Sequence, residues 1–599
     1  MDVGAATLGW QRWAVLTIIV GTAWVVWPSI DDSFSLPKAT LLVVGAVFLL
    51  WAAAVRASWE RRVVLPRTPL AVAVATFGLA LVAVTVTSTS RLESVVGQYR
   101  QYSGLGSYLA CLVACIATAR AFRPVQIILV LRAFAVGLVG VAGYATLQLL
   151  GADPFGWGDG NQIASSLGNT NFAAGWVAIA LAPAVVLALH PEETVRWRVV
   201  GACAAVLGLL VVIQTESFQG PVAGFAALAV ALAGVVLVLR PMPRLWTRRN
   251  VAAGGLLALV LLAVGAVVAW PTVDRALDEG LYDRWAFWEA ALDVFGDHPL
   301  VGTGLDTFHN QFLTRRPIGH VGNNGGAVHD VPLDMLANGG LVLFVPFLAV
   351  LVLTGVTLVR TWRRDDATSN RLLVVGVTGA WVGYLVQSLV SIDRPALAIT
   401  HWVLVGAALA LADARQWTVR LPVRELGRSQ RGASWLVPAA VATVLALLAL
   451  VPLTRPLRAG MAVAAAEDHR RQGDIVAAVR EVERGRDLAP WEAAHTYFAA
   501  RIHAVAGDRE QAIAAAEDGA RLESGDPSYA ILAADLHDAL GQEERSADWW
   551  REAVRRDPWG SSTVQRAWAA AQERGDDEEA DRLSGRLDRI ARGGYRVGF

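Results

Sequence analysis

Residues 221–239 read PVAGFAALAVALAGVVLVL, nineteen residues with no charge among them. At 1.5 Å of rise per residue, a helix of that length crosses a bilayer core of about 30 Å. Working outward, similar runs lie near 12–28, 39–55, 68–88, 103–119, 133–151, 171–189, 199–213, 251–270, 331–359, 372–391, 396–413 and 434–453. The expectation is thirteen membrane crossings. Composition agrees: 55% of the 599 residues are hydrophobic and 17% charged, where a soluble chain carries about 25% charged residues. Mean hydropathy is +0.44. Buried core helices of a soluble protein rarely give so many runs of this length. The first run lacks an A-x-A-like cleavage site after it, so it is expected to be a retained helix and not a signal peptide.

Net charge is zero, which argues against nucleic acid as a partner. Cys111, Cys115 and Cys203 all fall inside apolar runs. That excludes disulfides and thiolate metal sites in the loops. Arginine placement sets the orientation. The N-terminus and one set of alternate loops hold 23 Arg and Lys residues, and the other set holds 8: Lys38, Arg91, Arg100, Arg275, Arg284, Arg315, Arg316 and Arg394. The positive-inside rule puts the N-terminus and the arginine-rich loops in the cytoplasm of an inner-membrane protein. Thirteen crossings then leave the C-terminus outside.

From about Gly460 the composition changes to charge and alanine. Gly473, Gly507, Gly541 and Gly575 recur every 34 residues. Five residues after each comes a small residue: Ala478, Ala512, Ser546 and Ala580. Pro490 and Pro558 each lie seventeen past their glycine. The pattern resembles the tetratricopeptide repeat, in which glycine closes one helix and the small residue lets paired helices approach. The expected division is therefore a membrane domain over 1–457 and an extracytoplasmic α-solenoid over 458–599, with a surface for a protein partner or a glycan.

Residues 271–330 form the one long loop between expected crossings. A loop of this length is usually functional or disordered. Trp285, Phe287, Trp288, Phe295, Phe308 and Phe312 recur at spacings suited to amphipathic helices on a membrane surface. The loop also holds His298, His309, His320 and His329, four of the ten histidines. Their spacings of 11, 11 and 9 match no metal signature, so no metal is expected from them. His329, at the start of the next membrane helix, is a candidate general base; the alternative is an interfacial histidine without chemistry.

These stretches together resemble the O-antigen ligase and polymerase superfamily over roughly residues 30–415. DRWAFWEAAL followed by HPLVGTGLDTF is similar to the family's Arg-containing helix and glycine turn, here with Arg284, Trp288, Pro299, Gly302 and Gly304. HDVPLDMLANGG, from His329, resembles its His-Asn-x-x-Leu helix start, closed by Gly339 or Gly340. LGNTNFAA (Asn169, Asn171) and GQYRQYSGL (Gly97, Arg100, Gly104) resemble two further outer-side motifs. Two positions depart from the pattern. Gln219 stands about where the family has arginine, which removes a cation that would bind phosphate. Asp330 follows the histidine in place of asparagine, which adds a carboxylate.

The resemblance implies an all-α, GT-C-like bundle of about thirteen helices. It implies an enzyme that needs neither metal nor nucleotide cofactor. Such enzymes move a glycan from an undecaprenyl-pyrophosphate donor to a hydroxyl of a glycan, lipid or protein acceptor, outside the inner membrane, in surface polysaccharide assembly. His329 would be the base and Arg284 the principal cation. Arg100, Arg315 and Arg316 are further candidates for the pyrophosphate, where arginine offers bidentate contacts. Asn169, Asn171 and Gln219 are candidates for sugar hydroxyls, with turn formation and capping as the alternative. Asp330 would orient the His329 ring or face solvent. Two other classes stay open: a lipid-linked glycan flippase, and an inactive membrane scaffold recruiting partners through its repeats.

Overall fold

The apolar runs fold as helices because a bilayer leaves every backbone polar group to be satisfied within its own segment. The structure is a computed structural model describing residues 3–157, 163–215, 217–239, 281–320, 322, 325–413, 416–420 and 435–594. The first nine helices are α1 (Val3–Trp24), α2 (Ser35–Glu60), α3 (Pro69–Val86), the short α4 (Arg91–Val96), α5 (Leu105–Ala121), α6 (Ile128–Leu149), α7 (Thr170–Leu189), α8 (Val195–Gln214) and α9 (Gln219–Leu239). α10 spans 281–297. There follow α11 (His309–Arg315), α12 (Val331–Arg364), α13 (Thr368–Ser388), α14 (Pro395–Leu411) and α15 (Leu436–Leu453). Twelve of the thirteen expected crossings are thus helical, and the run at 251–270 lies outside the described residues. Among the described residues, nine helices are long and apolar enough to span a membrane, and α5 and α14 are apolar but shorter. The protein is a multi-pass membrane protein.

α7 sits at the centre. Every residue from Phe172 to Ala184 is buried, as befits a helix apolar on all sides. It packs against α6, α8, α9 and α13. α15 lies at the periphery against α2, and its Val437, Val441, Leu445 and Leu448 stay exposed, as lipid-facing residues would. One small sheet departs from the all-helical expectation. β1 (Arg62–Pro66) and β2 (Gln416–Arg420) pair antiparallel, Arg62 opposite Arg420. Both are short inter-helix segments rich in strand-favouring side chains, and the bundle sets them side by side at its arginine-rich end.

The tail is four helical hairpins: α16 (Arg455–Arg471) with α17 (Ile475–Leu488), α18 (Ala493–Ala506) with α19 (Arg509–Leu522), α20 (Pro527–Asp538) with α21 (Glu543–Arg556), and α22 (Ser561–Glu573) with α23 (Asp577–Gly593). The four periodic glycines all adopt left-handed backbone, with φ of 82°, 82°, 66° and 70°. The small residues that follow them are buried. This is a solenoid of tetratricopeptide type. The expected boundary at 457/458 falls inside α16. The solenoid rests on the inter-helix loops at one end of the bundle: Tyr99 donates to Asp31 (2.8 Å), His495 lies 3.4 Å from the same carboxylate, and Arg316 lies 4.0 Å from Asp557. Repeats and the long loop therefore share one end of the bundle, away from the β1–β2 pair.

At that end α12 is broken. Gly340 has φ 55° and ψ −161°, outside helical geometry. The turn 299–304 inserts into the break. Leu341 and Val342 N–H groups donate to the carbonyls of Pro299 (2.9 Å) and Leu300 (3.0 Å), and Gly304 N–H donates to Asn338 (2.8 Å). A Cβ on Gly340 would stand 2.4 Å from the Leu300 carbonyl carbon, and one on Gly302 would stand 2.3 Å from that of Asn338. Gly340→Ala is therefore expected to cost at least about 1–3 kcal/mol in backbone strain alone. The check is a lowered thermal midpoint in detergent. Gly9→Ala is the control, because nothing lies within 4 Å of a Cβ there. An unchanged midpoint for Gly340→Ala would show that this interlock does not hold the loop.

Candidate active site

Among the helices that begin where the loops meet the bundle at the solenoid end are α7, α9, α12 and α14. Each start leaves first-turn N–H groups without helical acceptors and a partial positive charge of about half a unit. The sequence candidates are distributed around these starts. Asn169 caps α7, accepting from Asn171 N–H at 2.8 Å. Gln219, the first residue of α9, is buried and donates its Nε2 to the Asn171 carbonyl at 2.6 Å. Asp330 caps α12, accepting from Leu333 N–H at 2.7 Å. Burial raises its carboxyl to about 6 against that capping bond. Its carboxylate is thus engaged with the helix start, which is the ordinary use of an aspartate there.

Arg284 lies on α10 with its guanidinium over the Phe218 ring, 4.8 Å from the centroid. Desolvation lowers its pKa to about 10. One turn along the same helix, Phe287 stacks on the His329 ring at 5.6 Å. His329 has φ of 56°, the left-handed region in which histidine is several-fold enriched. Burial, then the nearby charges of Arg284 and Arg394, push its pKa down to about 3. Both effects favour the neutral form of the ring.

Arg394 was not singled out from the sequence. It stands immediately before Pro395 at the start of α14. Its guanidinium lies 4.5 Å from the centroid of the Phe172 ring and donates to Ser35 Oγ at 3.0 Å. Its Nε is buried with no hydrogen-bond partner. Burial lowers its pKa, opposed first by Asp32. The available signal was its membership of the smaller set of eight loop cations, next to a helix-starting proline. The contacts run from Arg284 to Phe218, along Gln219 to Asn171, and from the adjacent Phe172 to Arg394.

The other cations lie elsewhere. Arg100 is exposed, with its guanidinium over Tyr99 at 5.3 Å, yet it is close enough to act on Arg394 by charge. Arg315 is engaged with Asp297 (2.9 Å) and Gln311 (2.7 Å). Arg316 turns toward the solenoid, near Asp557. The four loop histidines also go to separate partners: His309 to Glu93 and Glu523, His320 to Asp283 at 3.0 Å, His329 to Phe287, while the His298 carbonyl accepts from Gly302 N–H at 3.0 Å.

Part of this site carries a family likeness. Residues 218–348 match the O-Antigen ligase family model. This O-antigen-ligase-like stretch runs from Phe218 through Arg284, His329 and the break in α12 to Leu348. It suggests a glycosyltransferase-like enzyme acting in surface polysaccharide assembly. No curated protein matches the chain. Solved structures that resemble part of it include "Crystal structure of MamA", with 13% identity, TM-score 0.21, and coverage of 29% of this chain and 96% of that one. Another is "MamA MSR-1 C2", with 14% identity, TM-score 0.20, and coverage of 28% and 93%.

Proposed function

We propose that the protein transfers a glycan from an undecaprenyl-pyrophosphate donor to an acceptor hydroxyl at the outer face of the inner membrane. The observation that carries this reading is geometric: His329 stacks on Phe287 one turn from Arg284, and contacts through Phe218, Gln219, Asn171 and Phe172 link Arg284 to Arg394 where the starts of α7, α9, α12 and α14 converge. Such a place favours a polyanion. The N-terminus is cytoplasmic, and the repeats share the extracytoplasmic side with the loop.

His329 accepts the proton of the acceptor hydroxyl as its oxygen attacks the anomeric carbon. The bond from that carbon to the pyrophosphate oxygen breaks, and lipid pyrophosphate leaves. Arg284 and Arg394 stabilise the growing pyrophosphate charge, without a metal in the chemical step. Arg394 supplies a second cation to a site in which position 219 is glutamine. Asn171 and Gln219, already in contact, are placed for sugar hydroxyls. The test is purified protein in proteoliposomes with a lipid-linked glycan and an acceptor glycan, lipid or protein. Appearance of free undecaprenyl pyrophosphate with glycosylated acceptor is expected. Movement of the donor across the bilayer without transfer, or neither event, would sink the proposal in favour of a flippase or a scaffold.

A further inference from the structure

Three segments far apart in the chain meet where the solenoid touches the outer loops. Glu93 comes from α4, His309 from the start of α11, and Glu523 from the residue after α19. His309 Nε2 lies 2.9 Å from Glu93 Oε1 and 3.2 Å from Glu523 Oε1. One ligand atom from each of the three lies within 4.8 Å of the others. The side chains are 13%, 9% and 19% exposed, so the cluster is largely shielded from water.

A single imidazole nitrogen cannot satisfy this arrangement with a proton alone. It makes one hydrogen bond, to Glu523. Glu93 Oε1, 2.9 Å from the same nitrogen, pairs with it by charge but lies outside hydrogen-bond alignment. Two carboxylates and one imidazolium also leave a net negative charge in a shielded site, which is costly. A divalent cation on a neutral imidazole and two carboxylates would bring that charge to zero. Behind the cluster, Asn310 Nδ2 donates to Glu93 Oε2 at 2.8 Å and fixes that carboxylate, the usual role of an outer-shell partner. Imidazole with carboxylates suits zinc-class ions better than calcium or magnesium, which take oxygen ligands alone.

We propose that Glu93, His309 and Glu523 bind one zinc-class divalent ion that clamps the repeat domain to the external loop. Water would fill the fourth position. The clamp has a route to the site described above. His309 opens α11, whose Phe312 meets Phe287 edge to face at 4.9 Å, and Phe287 stacks on His329. The ion is structural and independent of the transfer reaction.

The test uses the full untagged chain in detergent, stripped with chelator and then equilibrated with zinc, manganese, calcium or magnesium chloride. Metal content and thermal midpoint are read. About one zinc per chain is expected, with a raised midpoint. Calcium and magnesium should neither bind nor stabilise. Glu523→Gln, which keeps side-chain size on the solenoid surface, should abolish both zinc retention and the zinc-dependent shift. Asn310→Ala should weaken zinc binding about tenfold. Wild-type protein that retains no more zinc than Glu523→Gln would overturn the proposal, as would equal stabilisation by calcium.

Discussion

His329→Ala is expected to lower glycan transfer by about 10²- to 10⁴-fold while the protein still elutes as a folded species. His329→Asn should fall as far. Asparagine also tolerates the left-handed backbone of this position, so it keeps the chain geometry but cannot serve as the base. The pH profile tests the same assignment in another way. The free ring is held at about 3 by burial and by Arg284 and Arg394. A base works in its neutral form, so kcat/KM, which reports the free enzyme, should stay level as pH falls from 8 through 6.5. A bound pyrophosphate would offset both guanidiniums and raise the ring's pKa in the complex. The acid limb of kcat should therefore lie at higher pH than that of kcat/KM. Wild-type turnover in His329→Asn would remove the base assignment, and so would a kcat/KM limb near the ordinary histidine value.

The membrane helices were legible in the sequence because lipid imposes length and apolarity residue by residue, as in 221–239. The solenoid was legible because its glycines need left-handed backbone every 34 residues. The strand pair was not, since five-residue segments such as Arg62–Pro66 owe their pairing to the bundle that brings them together. The site was partly legible. Arg284 and His329 sit in local motifs, and the fold puts both beside Phe287. Arg394 has no motif of its own. Its nearness to His329 follows from α14 starting beside α7, a fact of tertiary packing. Arg315 and Arg316 stood behind Arg284 as candidates in the sequence, though all three are cations of the same loop. They differ because α11 faces Asp297 on one side and the solenoid on the other. Asp330 was open between orienting the histidine and facing solvent, and its carboxylate caps the start of α12.

The second large effect is expected at the two stacked arginines. Lysine keeps the charge but loses the planar fork and the ring contact. If Arg284 and Arg394 grip one pyrophosphate, each Arg→Lys change removes a charge-assisted hydrogen bond worth about 1.5–3 kcal/mol. That corresponds to roughly a 10- to 150-fold loss in kcat/KM. Arg394→Lys should be the more damaging, because the Arg394 Nε is already buried without an acceptor, so an incoming anion gains a donor that water does not compete for. The double variant decides whether the two act together. Groups that share one ligand are non-additive, so its loss should differ from the summed losses in free-energy terms by at least about 0.5 kcal/mol. A purely structural role for Arg394, bridging Phe172 and Ser35, gives a different pattern: a lowered thermal midpoint, additive kinetics and no change in donor KM. Additive losses with unchanged KM would place the pyrophosphate elsewhere and remove the electrostatic half of the proposed mechanism.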